Sequence, residues 1–142
     1  ILGSVGVDTT RVLRVEAATP ATVGLVKRTG ARAFLHRPGA SKVALTEPLV
    51  MPAGAKHFHL ANPFGVPALR QLGPENLRRA RAAGMTTSLD TGWDSKGQWG
   101  EVILPCCEYT DVLFLNAEEG RLITGEKSAE GTLRRLHEAG VK

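Results

Sequence analysis

The sequence predicts an α/β fold on a parallel sheet, carrying a small β-hairpin, and three observations predict it. From residue 56 onward, short apolar runs alternate with helix-like stretches across short links, as in parallel strands joined by right-handed crossovers. Each of those runs ends in a polar residue: Asn62, Asp90 and Asn116. Before residue 56, two β-prone runs flank Thr29-Gly30-Ala31 and read as a hairpin. The expected organisation is a hairpin with flanking segments over 1–55 and part of an α/β core over 56–142.

The hairpin runs are 22–28 (TVGLVKR) and 32–37 (RAFLHR), with Val23 and Leu25 on one face and Val26 on the other. A two-stranded ribbon is not stable alone, so it must pack on a lid partner, a subunit or the main domain. Residues 37–41 (RPGAS) form a turn-rich link. The first core strand is 56–61, ending at Asn62-Pro63. A short helix is expected over 67–72, closed by Gly73. A second follows over 74–83, with Pro74 in its first turn, Gly84 at its C-cap, and Leu77 and Ala80 inward. Arg78, Arg79 and Arg81 lie elsewhere on it and read as a solvated face.

The next strand is 86–89, ending at Asp90, followed by the loop TGWDSKG. A short helix with Trp99, Val102 and Ile103 on one side is expected to stop at Pro105. The third strand, 111–115, leads into helices over 118–123 and 129–139.

The composition is that of a globular chain: 142 residues, 42% hydrophobic and 23% charged, enough to bury a core in one domain. Eighteen Lys and Arg against fourteen Asp and Glu leave a net charge of +4, which tolerates an anionic ligand. The basic residues form no long block, so nucleic acid is not indicated. No apolar run is long enough to span a membrane, and no signal peptide opens the chain. Cys106 and Cys107 are adjacent and have no partner pair, which excludes a disulfide framework or a zinc site and fits a reducing, cytoplasmic setting. The first residue is Ile1, and the chain stops at Lys142 where a strand could begin; both ends read as cut.

Residues 111–125, DVLFLNAEEGRLITG, are the most informative. A strand runs into Asn116, and Glu119 follows on a helix. An Asn N-cap with Glu at the third helical position closes a capping box, and on local chemistry that is the simpler reading. Parallel strands, however, gather Asn62, Asp90 and Asn116 at the sheet edge where α/β folds place ligands. There an Asn-Glu pair suits the second shell of a hydrated Mg²⁺, which implies phosphate chemistry. His57 and His59 share a strand face but lack a third ligand, and His36 and His137 read as structural. No Gly-rich phosphate loop and no nucleophile elbow is present.

Taken in order, GVDTTRV at 6–12, TVGLVKRTGARAFLHRPGAS at 22–41, SLDTGWDSKGQW at 88–99 and DVLFLNAEEGRLITG at 111–125 resemble the ribokinase-like, pfkB-type carbohydrate kinases. The last of these is close to the family's Asn-x-x-Glu element. The resemblance implies a three-layer αβα, Rossmann-like sheet with a hairpin lid, here as an incomplete domain. It also implies an ATP- and Mg²⁺-dependent enzyme that phosphorylates a hydroxyl of a sugar. By that likeness Asn116 and Glu119 organise the phosphates and Mg²⁺, the metal being held through water. Arg37, Gly39 and Ser41 lie near the sugar, with Asn62 and Asp90 lining the floor, and paired lids make a homodimer. The family's Gly-Ala-Gly-Asp segment, source of the catalytic base and anion hole, is absent, as is its early Gly-Gly motif; Ser41 stands where many relatives have Asn. The chain therefore reads as an internal piece of a kinase, inactive alone, its catalytic base lying outside these residues. A non-catalytic α/β module binding a small ligand or partner is the competing reading.

Overall fold

A computed structural model describes all residues, 1–142. It is a mixed α/β structure with a parallel three-stranded sheet and a separate antiparallel hairpin. Its contacts divide the chain into two compact units, Ile1–Ala44 and Leu45–Lys142.

In the first unit, β1 (Ala21–Val26) pairs with β2 (Arg32–Arg37). The register sets Val23 opposite Leu35 and Gly24 opposite Phe34. Side chains alternate across a ribbon, so Val23, Leu25 and Leu35 share one face while Val26 and Phe34 share the other. All five are more than half exposed. Apolar groups thus occur on both faces, as expected, and here they stand bare. At the turn, Lys27 N–H donates to Ala31 O at 2.8 Å and Gly30 takes a φ of +85°, a backbone shape only glycine adopts freely.

In the second unit, β3 (His57–Ala61), β4 (Thr86–Asp90) and β5 (Val112–Phe114) form a parallel sheet in sequential order. The helices are α1 (Leu69–Ala82), α2 (Trp99–Cys107), α3 (Ala117–Thr124) and α4 (Ala129–Glu138). Sequential parallel strands with right-handed crossovers put their helices on one face. The burial pattern agrees. Leu60, Thr87 and Leu89 are buried and Phe58 and Leu113 are packed against the core, whereas His57, His59, Thr86, Val112 and Phe114 on the opposite face stay exposed. Three of those exposed polar groups are tied to Ser88 or to one another. His57 Nε2 and His59 Nδ1 both lie 2.7 Å from Ser88 Oγ, and His57 Nδ1 lies 2.8 Å from Thr86 Oγ1. No further His, Cys, Asp or Glu joins the two histidines to make a metal site.

Two helix boundaries differ from expectation. Residues 69–82 form one helix, with Gly73 and Pro74 inside it rather than at a break. Gly73 is buried, and a Cβ there would sit 3.4 Å from Leu60 Cδ2 and Cys106 Sγ. The helix runs through this close approach to the sheet and gives up one hydrogen bond at Pro74, so tertiary packing overrides the local stop signal. Likewise α2 runs two residues past Pro105 to Cys107. The Cys106 and Cys107 thiols donate to Val102 O and Ile103 O at 3.4 Å and are fully buried. Other expectations hold: Leu77 and Ala80 are fully buried, and Gly84 closes α1 with a φ of +79°. Arg78 and Arg79 pair with Glu75 at the surface, at 2.7 Å each.

Burial pushes Cys106 up to about 12 and Cys107 up to about 11, from an ordinary 9.0. Both thiols should therefore resist alkylating reagents at pH 8 in the native protein and react only when denaturant unfolds it. The unfolded chain loses these protons first. Stability from these groups is complete below pH 9 and declines as pH rises from 9 toward 12. Denaturant midpoints across that range, compared with a Cys106→Ala/Cys107→Ala variant lacking this decline, check the sign.

Candidate functional site at the carboxyl ends of the strands

The sheet register aligns Ala61, Asp90 and Phe114. Asn62, Asp90 and Asn116 consequently gather at one edge, as the sequence implied. The backbone continues the pairing past the strands: Asn62 N–H donates to Asp90 O at 2.8 Å, and Thr91 N–H to Phe114 O at 3.4 Å.

Asn116 caps α3. Its Oδ1 accepts from Glu118 N–H at 3.0 Å and from Glu119 N–H at 2.9 Å. Glu119 Oε2 accepts in return from Asn116 N–H at 2.9 Å, completing a capping box. The same Oε2 accepts from the Thr91 hydroxyl at 3.0 Å. Thr91 is fully buried and links the end of β4 to the start of α3. Sequence reasoning missed it, because a Thr in a loop carries no mark of a partner twenty-eight residues away. The second oxygen, Oε1, takes no part in the box. Gly120 N–H goes to Asn116 O at 2.9 Å. Of the first amides of α3, only that of Ala117 is therefore left.

Asn62 holds a left-handed backbone, φ +47°, and its Oδ1 accepts from Gly65 N–H at 3.1 Å. It is wedged between two glycines. A Cβ on Gly65 would lie 2.7 Å from Asn62 Nδ2, and one on Gly92 2.5 Å from Oδ1. Asp90 is exposed and its carboxylate has no hydrogen-bonding partner. Asn62 is thus built into its turn, whereas Asp90 is free to meet a ligand.

The loop after β4 is locked by a group that the sequence did not reveal. The Asp94 carboxylate, with a fully buried side chain, pairs with Arg70 of α1 at 2.6 Å. It also accepts from Lys96 N–H at 2.9 Å and Gln98 N–H at 2.5 Å. Burial works to raise its pKa, but the Arg70 guanidinium and the two amides outweigh that and hold it below the ordinary 3.8. Arg70 also lies 5.1 Å from the centre of the Phe64 ring, and Phe64 packs edge-on against Trp99.

Arg37, Gly39 and Ser41 belong to the first unit. Arg37 ends β2 and donates to Thr19 O at 3.3 Å. Gly39 opens a short 3-10 helix, Gly39–Lys42, and a Cβ on it would strike Ala18 O. Ser41 N–H donates to Pro38 O at 3.0 Å.

The chain is thus an α/β protein whose parallel sheet ends in an edge lined by amides and carboxylates, with a separate hairpin. The profile of the pfkB family carbohydrate kinases matches residues 1–142, and the chain belongs to that family. Among solved structures it is similar to a fructokinase from Xylella fastidiosa with bound ATP, at 21% identity and a TM-score of 0.72, covering 96% of this chain and 47% of that one. A ribokinase from Thermotoga maritima matches at 21% identity and a TM-score of 0.65, over 92% and 42%. A PfkB protein from Polaromonas sp. JS666 matches at 26% identity and a TM-score of 0.53, over 62% and 32%. The chain thus spans less than half the length of these structures. No curated protein matches it.

Removing Asp94 strands a buried guanidinium and two loop amides. Asp94→Ala should therefore lower stability by about 3–5 kcal/mol, read as a lowered urea midpoint. The native carboxylate contributes above its unfolded pKa near 4, and that contribution is lost as pH falls through its lower folded value. The gap between wild type and variant should accordingly narrow in acid.

Proposed function

We propose that the complete protein transfers the γ-phosphoryl group of ATP to a hydroxyl of a sugar or related small molecule, working in a reducing compartment such as the cytoplasm. The observation that carries this reading, beside family membership, is the division of labour within Glu119. One oxygen is committed to Asn116 N–H and Thr91 Oγ1, and the other is left at the ligand edge of the sheet. A carboxylate oxygen held in place by its twin's two bonds fits a hydrated Mg²⁺, which keeps its waters and prefers oxygen partners. When bound, that ion neutralises and orients phosphate oxygens. Glu119, with Asn116 beside it, would hold the metal's water shell. The α3 N-terminus has one amide to spare and would bind phosphate only weakly by itself.

Asp90 and Asn62 are proposed as sugar-side groups, the first for its free carboxylate. Arg37, Gly39 and Ser41 are the sugar-contacting candidates of the first unit on resemblance alone. The hairpin is proposed as a lid and as the surface through which two copies pair, since an apolar ribbon bare on both faces needs cover. No Gly-Ala-Gly-Asp segment occurs in the chain. A base and anion hole contribute much of the acceleration, so the 142-residue chain by itself should show no phosphoryl transfer above background.

Glu119→Gln in the full-length protein separates capping from metal handling. Gln still accepts from Asn116 N–H, so the melting temperature should change little. Losing the charge near a metal's outer shell should cost about 10–100-fold in activity and raise the Mg²⁺ needed for half-maximal rate. Wild-type activity with unaltered Mg²⁺ dependence would favour the non-catalytic module or a purely structural cap.

A further inference from the structure

Trp93 is 61% exposed, yet the chain around it is fixed. Thr91 on one side is fully buried and bonded to Glu119 Oε2; Asp94 on the other is 3% exposed and takes three hydrogen bonds. Gly92 between them is pressed against Asn62. The indole also meets the buried Trp99 in a T-shaped contact, with ring centroids 5.0 Å apart. A large aromatic held rigidly in water is an unusual expense for a loop that has already buried its neighbours. Such a group offers a wide contact area whose ordering cost has been met in advance.

Its position gives the contact a purpose. Trp93 lies three residues beyond the end of β4, at the edge where parallel sheets bind ligands, and Asp90 is the last residue of that strand. The Asn116–Glu119 corner lies one strand over, at the start of α3 just after β5. A sugar ring carries an apolar C–H face and a rim of hydroxyls, so an aromatic wall and an acceptor carboxylate at the same strand end match it. We infer that Trp93 is a specificity-determining residue that stacks on the apolar face of the sugar acceptor. This rests on the kinase reading above.

The test uses the full-length protein with Trp93→Ala and Trp93→Phe, screened with ATP against D-fructose, D-ribose and further monosaccharides. With the accepted sugar, Trp93→Ala should raise KM for the sugar about tenfold, the equivalent of one aromatic contact, and leave KM for ATP unchanged. Trp93→Phe should retain most of the affinity. In the wild type, that sugar should shift or quench tryptophan emission, and the part of the response contributed by Trp93 should be lost in Trp93→Phe. An unchanged sugar KM in Trp93→Ala overturns the inference. A rise confined to KM for ATP overturns it in favour of adenine stacking. Protection of Trp93 from acrylamide in the sugar-free protein overturns it in favour of packing by another part of the chain. If the wild type phosphorylates no sugar, the kinase reading fails instead; absence of any fluorescence response to the same sugars then removes the platform too.

Discussion

One carboxylate oxygen holds the carboxyl edge of the sheet together. Glu119 Oε2 accepts from the backbone of Asn116 and from the buried hydroxyl of Thr91. Through those two bonds it fastens the start of α3 to both β5 and the loop after β4. Remove it, and the cap loses its return bond, Thr91 becomes a buried hydroxyl without an acceptor, and the β4 loop loses its anchor at that end. An unmet buried donor costs on the order of 1–3 kcal/mol, a large fraction of what a domain of this size has to spare. The other anchor of the same loop is Asp94, pulled the opposite way by Arg70. Four residues after β4 are thereby pinned at both ends, and the geometry at this edge of the sheet follows from this.

Capping and ligand handling are consequently not rivals at Asn116 and Glu119. A carboxylate has two oxygens, and the box uses one. Asn116 divides its amide in the same way: Oδ1 serves two backbone donors, while the Nδ2 donor takes no part in the box.

The legible parts of this fold were those whose signals are local. Strand ends were marked by Asn62, Asp90 and Asn116, and the hairpin by its turn. The capping box was readable because both partners lie within three residues. Proline misled twice, at Pro74 and Pro105, because its cost is local while the reason to continue the helix lies elsewhere: Gly73 against Leu60, and two thiols buried beneath Pro105. Thr91, Asp94 and Asn76 were invisible for a related reason. Asn76 is fully buried and accepts from Leu49 N–H at 2.7 Å, pinning the segment before β3 to α1. Each looks like an ordinary polar loop or helix residue until a partner more than twenty positions away is brought to it.

The sheet itself carries the last constraint. Parallel strands are normally covered on both faces, and here helices cover one. On the other, Ser88 and Thr86 satisfy His57 and His59, while Val112 and Phe114 stay about half exposed. Such a face combines hydrogen-bonded polar groups with unclaimed apolar area, which is what a second layer of helices would cover. The positions of Asn62, Asp90, Asn116 and Glu119 are set from the covered side, by Thr91, Asp94 and α1. A second layer would therefore meet an edge whose geometry is already shaped from the covered side.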